Sequence, residues 1–147
     1  MSSERIDYAS IAPKALGAML RTNAYLDGST ISQKLRRLVE LRVSQINHCS
    51  YCIWLHANQA RDLSEKEERL SAVAEWQNAD CFVASERAAF AWAEAVTRIS
   101  EGKPSDLAYD AVIEHFTELQ IVELTAAIAN MNALNRMAVS FCHEAPE

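Results

Sequence analysis

Apolar residues in this chain recur at helical spacing, and no segment alternates apolar and polar for long enough to make a strand. Leu35, Val39, Val43 and Ile46 repeat at four, four and three, and Ala89, Trp92, Val96 and Ile99 make a second stripe. Three glycines and three prolines are all that punctuate 147 residues, so the links between helices are expected to be short. The fold expected is all-α, a single domain over 1–147 with about six to seven helices. Pro13 opens a first helix running to about Asp27, with Gly28 past its end, and Thr30 caps a second. A third carries Cys49 to about Asp62, and Ser64 with Glu67 has capping-box spacing for a fourth. Ser85 precedes a fifth that ends at Gly102, Ser105 caps a sixth, and a seventh runs from about Glu118 to Phe141.

Composition narrows the function classes. Half the residues are apolar and 23% are charged, as in a soluble globular domain that buries a core without staples. A net charge of −6 argues against a nucleic-acid surface, which needs clustered Lys and Arg. The run Glu65 to Arg69 mixes signs and reads as a solvated helix face. No stretch approaches the ~20 apolar residues of a membrane span, and MSSERIDYAS has no apolar core for a signal peptide. The expected compartment is the cytoplasm. Structural disulfides are rare there, so a close cysteine pair points to catalysis, redox sensing or metal binding.

That pair is Cys49 and Cys52, with His56 four residues on, in NHCSYCIWLH. Haem attachment needs histidine directly after the second cysteine, and Ile53 stands there. Structural zinc needs four converging ligands, whereas Cys49, Cys52 and His56 on one helix spread over ~10.5 Å of rise. No second paired spacing occurs among His48, Cys81, His115, Cys142 and His143. A redox dithiol fits better, because helical positions three apart have Cα atoms about 5 Å apart, within closing range of a disulfide. Cys49 in a first helical turn gains thiolate character from free amides and the helix dipole. His56 is placed to exchange a proton with Cys52, and Glu40 on the preceding helix to orient His56. Two buried cysteines acting as small hydrophobes are the competing reading.

LVELRVSQIN (38–47) and IVELTAAIAN (121–130) match each other, which would make Glu40 and Glu123 counterparts in a duplicated helical unit. Asn132, Asn135 and Arg136 are read as hydrogen bonding between helices, and Cys81 and Cys142 as structural.

LRVSQINHCSYCIWLH (41–56) resembles the core motif of the alkylhydroperoxidase D-like proteins, within the carboxymuconolactone decarboxylase superfamily. SERAAFAWAEAVTRI (85–99) and HFTELQIVELTAAIANMNALNR (115–136) extend the resemblance over most of the chain after about residue 30. It implies an all-α homo-oligomer, a hexamer ahead of a trimer, that reduces organic hydroperoxides with its CxxC pair. By position Cys52 matches the attacking cysteine, Cys49 its resolving partner, and His56 the histidine of a proton relay reaching back to a glutamate. It implies no bound cofactor or metal, and an external dithiol protein of lipoyl or thioredoxin type as reductant. The alternatives are a decarboxylase-like enzyme acting on a small carboxylated metabolite, and a non-enzymatic thiol redox sensor. The family's relay glutamate falls twelve residues before the first cysteine, where this chain has Arg37. Glu40 or Glu123 is then expected to serve. His48 replaces the usual glycine before the first cysteine, and Tyr51 replaces a histidine between the two cysteines.

Overall fold

The computed structural model describes residues 3–147. They form eight α-helices, two 3₁₀ turns and no strand. In chain order these are α1 (Tyr8–Ile11), α2 (Pro13–Asp27), α3 (Gln33–Ile46), α4 (Ser50–Asp62), α5 (Glu67–Ala72), α6 (Ala84–Thr97), α7 (Asp106–His115) and α8 (Glu118–Ser140). The helix beyond the seven expected is α1, of four residues, and the fourth expected helix is the six-residue α5. α1 is too short to show a stripe of helical period, which is why the pattern missed it.

α3 is the centre, packed against α4, α6 and α8. Its Leu35, Leu38, Val39, Leu41 and Val43 are buried, each worth roughly 1.5–3 kcal/mol in apolar area removed from water. The same helix buries Arg36, Glu40 and Ser44, and a charge so placed needs partners. α8 opens on a reciprocal cap: Thr117 Oγ1 accepts from Gln120 N–H at 3.1 Å, and Gln120 Oε1 from Thr117 N–H at 3.0 Å.

Two caps differ from expectation. Ser32, not Thr30, caps α3, accepting from Leu35 N–H at 3.3 Å. Thr30 instead donates its N–H and its hydroxyl to Glu123 on α8, at 3.1 and 2.5 Å. Ser64 does not cap α5, whose N-cap is Lys66 with no side-chain bond. It closes the end of α4 at φ 64°, with its N–H on Arg61 O and the next N–H, of Glu65, on Ala60 O. That pair of bonds makes a Schellman turn. The pattern recurs after α3 at His48 (φ 55°) and after α8 at Cys142 (φ 56°). Such turns favour glycine, since a Cβ in the left-handed region costs roughly 1–2 kcal/mol. Here His48 takes that conformation so that Cys49 N–H reaches Ser44 O at 3.0 Å, setting the angle at which α4 leaves α3.

No described helix is long and apolar enough to cross a membrane.

Candidate active site

The α3–α4 corner sets Cys49 at the N-cap of α4 and Cys52 in its first turn. Both are buried, and their sulfurs lie 2.7 Å apart, unbonded. The hydrogen bond from Cys52 pulls the Cys49 thiol from 9.0 down to about 7, against the opposing effect of burial. Hydrogen bonds from the Cys52 backbone N–H and the Asn135 side chain act in the same direction. The inter-thiol bond and burial push Cys52 up while Cys49 is the anion. Both directions describe one proton shared by two sulfurs, and the pair loses its first proton as a unit.

One turn on, His56 is 3% exposed. Burial drives its pKa down, and the Glu40 carboxylate opposes that. His56 Nδ1 lies 2.8 Å from Gln59 Oε1 and 3.4 Å from Glu40 Oε2. A carboxylate only accepts, so Nδ1 carries the hydrogen and Nε2 keeps a free lone pair. The imidazole is thus held neutral, in the tautomer of a base.

Glu40 is itself gripped by two arginines. Arg36 Nε lies 2.6 Å from Oε1 as an ion pair not aligned as a hydrogen bond, and Arg37 donates to both oxygens at 3.1 and 3.4 Å. The position that the resemblance gives to a glutamate therefore holds a cation bound to the carboxylate one turn further on. Glu123 is occupied elsewhere: the Thr30 hydroxyl bonded to it holds its carboxyl below the usual range. Of the two candidates, Glu40 is the one beside His56.

Cys52, His56 and Arg37 line a cavity of about 230 Å³ whose walls include Leu16, Leu55 and Met131. Cys49 does not line it. Glu4, Asp7, Tyr8 and His143 of the two chain ends also border it. They are tied together: His143 Nδ1 lies 3.0 Å from Glu4 Oε1, and its ring packs on Tyr51 with centroids 4.4 Å apart. Sequence patterning missed these residues because neither end has a helical period. His48 is exposed and lies outside the cavity, and Trp54 is 40% exposed against Tyr51. No group of three or more His, Cys, Asp or Glu arranged to hold a metal ion occurs among the described residues.

The carboxymuconolactone decarboxylase family model matches residues 13–95, which include α3, α4 and both cysteines. The chain belongs to that family. The uncharacterized protein YdfG of Bacillus subtilis (strain 168) is 34% identical over 143 residues, 97% of each chain. A solved structure from Agrobacterium tumefaciens, of unknown function and named there for the antioxidant defence protein AhpD, superposes with a TM-score of 0.96. It is 32% identical and covers 99% of both chains. The debrominase Bmp8 has the same fold, with a TM-score of 0.83 at 22% identity over 93% of this chain and 74% of its own. Family and all-α architecture are therefore those of the alkylhydroperoxidase D-like proteins, and the family contains enzymes.

Proposed function

We propose that the protein is a thiol peroxidase that reduces organic hydroperoxides, with Cys52 as nucleophile and Cys49 as resolving thiol. The observation that carries this reading is a pair of thiols in contact, of which only Cys52 lines a cavity, beside a neutral histidine lined up on a carboxylate.

His56 takes the first proton of the pair at Nε2. The hydrogen bond between the sulfurs lets the charge sit on Cys52, which attacks the terminal oxygen of ROOH. The O–O bond breaks, Cys52 becomes a sulfenic acid, and RO⁻ recovers the proton from His56 as ROH. The remaining proton, on Cys49, passes to the oxygen of the Cys52 sulfenic acid. The Cys49 sulfur attacks Cys52, the S–S bond forms, the S–O bond breaks, and water leaves. In sum, ROOH and two thiols give ROH, water and a disulfide, and an external dithiol protein restores the thiols by exchange. Arg36 and Arg37 hold Glu40 against His56 throughout. No cofactor is needed for any step.

Steady-state consumption of cumene hydroperoxide with a lipoyl or thioredoxin-type dithiol donor tests the reading. Turnover that needs both peroxide and donor supports it. A disulfide that forms without turnover would make the protein a redox sensor, and inert thiols would favour chemistry on a carboxylated metabolite.

The working form is a homo-oligomer, a hexamer ahead of a trimer. Leu107, Ile11 and Val122 are 82%, 73% and 65% exposed in the single chain, apolar area suited to burial between subunits. Light scattering is expected to give a multiple of the 16.4 kDa chain mass, and a monomer at micromolar concentration would contradict it.

A further inference from the structure

Glu40 carries one charge and faces two guanidinium groups, and the two are placed differently. Arg36 is wholly buried and lies 2.6 Å from Glu40 Oε1, with Asp27 Oδ1 at 2.7 Å on its other side. Arg37 is 15% exposed and, unlike Arg36, lines the cavity together with Cys52 and His56.

A guanidinium presents five N–H hydrogens in a rigid fork and keeps them at every pH a protein meets. Arg37 directs Nη1 at the two Glu40 oxygens, at 3.1 and 3.4 Å. Its Nη2 stands 3.8 Å from Asp27 Oδ1, an ion pair beyond hydrogen-bond range. No hydrogen bond from Nε or Nη2 occurs among the described residues. These two nitrogens form one edge of the fork, and that edge is unused.

The chemistry at Cys52 creates a need for such an edge. Attack on the terminal oxygen sends the O–O electron pair onto the other oxygen. Negative charge then develops in a cavity walled by Leu16, Leu55 and Met131. Charge in such a place is costly unless a donor already stands beside it. Among the described residues that line the cavity, Arg37 alone has a fixed positive charge, whereas Glu4 and Asp7 are carboxylates. A guanidinium also holds the charge without giving up a hydrogen, so the proton still comes from His56.

We infer that Arg37 is a catalytic residue, the free edge of its guanidinium donating to the leaving oxygen of the hydroperoxide as the O–O bond breaks. The inference rests on the peroxidase reading and adds an oxyanion donor to it. The grip of Arg37 on Glu40 is a separate, positioning role, which by itself would act only through His56.

The test compares two leaving groups in single turnover without reductant. Cumene hydroperoxide releases a strongly basic alkoxide, and perbenzoic acid, of similar size, releases weakly basic benzoate. Arg37→Gln should slow the first by about 10²-fold, the low end for a lost oxyanion donor, and the second by less than about tenfold. The ratio of the two rates cancels any change in the amount of thiolate. Arg37→Lys keeps the charge without the fork and should fall between the native protein and Arg37→Gln. In a His56→Ala background, Arg37→Gln should still change the ratio. A role through Glu40 and His56 alone would leave it where His56→Ala puts it. An unchanged ratio in Arg37→Gln, or a change that vanishes in the His56→Ala background, would overturn the inference. Should Arg37→Gln fail to fold, Arg37→Lys carries both comparisons. Native protein that consumes both peroxides, with variants that keep its ratio, would remove the role of Arg37 alone. Native protein that leaves both unconsumed would remove the peroxidase reading and this inference with it.

Discussion

Cys52→Ser should abolish consumption of hydroperoxide, and Cys49→Ser should stop the cycle one step later. The reason is access: the sulfurs are 2.7 Å apart, yet only that of Cys52 lines the cavity. Cys49, 1% exposed behind it, is placed to meet an oxidised Cys52 and not a peroxide. A sulfenic acid formed on Cys52 in the Cys49→Ser protein has no thiol beside it and should be trapped by a dimedone-type reagent, at that residue. In the native protein the peroxide step should quicken as pH is raised through about 7, where the pair loses its first proton. The sign follows from the lowered pKa: below it the pair is neutral and unreactive, above it one charge is available to Cys52. Trapping on Cys49 in a Cys52→Ser protein would exchange the two roles.

The second large effect belongs to His56. Removing it in His56→Ala takes away the base at Nε2 and should slow the peroxide step by about 10²-fold, the low end for a lost general base. Glu40→Gln should slow it less, because Glu40 reaches the reaction only through His56, at 3.4 Å. Adding Glu40→Gln to His56→Ala should therefore cost little further rate, a non-additivity that marks two residues acting as a unit. Stability behaves differently. Glu40→Gln leaves Arg36, 1% exposed, with only Asp27 as its carboxylate and should destabilise the fold by up to ~3 kcal/mol. Rates are to be compared well below the unfolding temperature. Additive losses in the double variant would remove Glu40 from the relay and leave it a structural role.

Much of this was legible in the sequence for identifiable reasons. The helices with a long stripe, α2, α3, α4, α6, α7 and α8, lie close to where Pro13, the Leu35–Ile46 repeat, Ser105 and the 118–141 run placed them. The dithiol was legible because i, i+3 and i, i+4 spacing on one helix fixes which side chains meet. Tertiary choices were not. Thr30 and Ser32 are both competent caps, and the contest is decided by Glu123, which lies ninety-three residues from Thr30 and claims its hydroxyl. Ser64 has capping-box spacing to Glu67, but the backbone uses it to close α4. The internal match between 38–47 and 121–130 put Glu40 and Glu123 at equivalent points, and both are buried. Their partners are set by neighbours outside the repeat: His56 with two arginines for Glu40, Thr30 for Glu123. Asn135 reads in sequence as one more polar residue in a long helix, since its bonds to Ser44 and Asn47 join α8 to α3 across the core. The two ends that roof the cavity had no periodic signal at all.

The most direct measurement is a single turnover: fully reduced protein mixed with one equivalent of an organic hydroperoxide, with no reductant present. The account predicts one equivalent of the alcohol and one disulfide per chain, joining Cys49 to Cys52. Peroxide left unconsumed, or a bridge that includes Cys81 or Cys142, would contradict it.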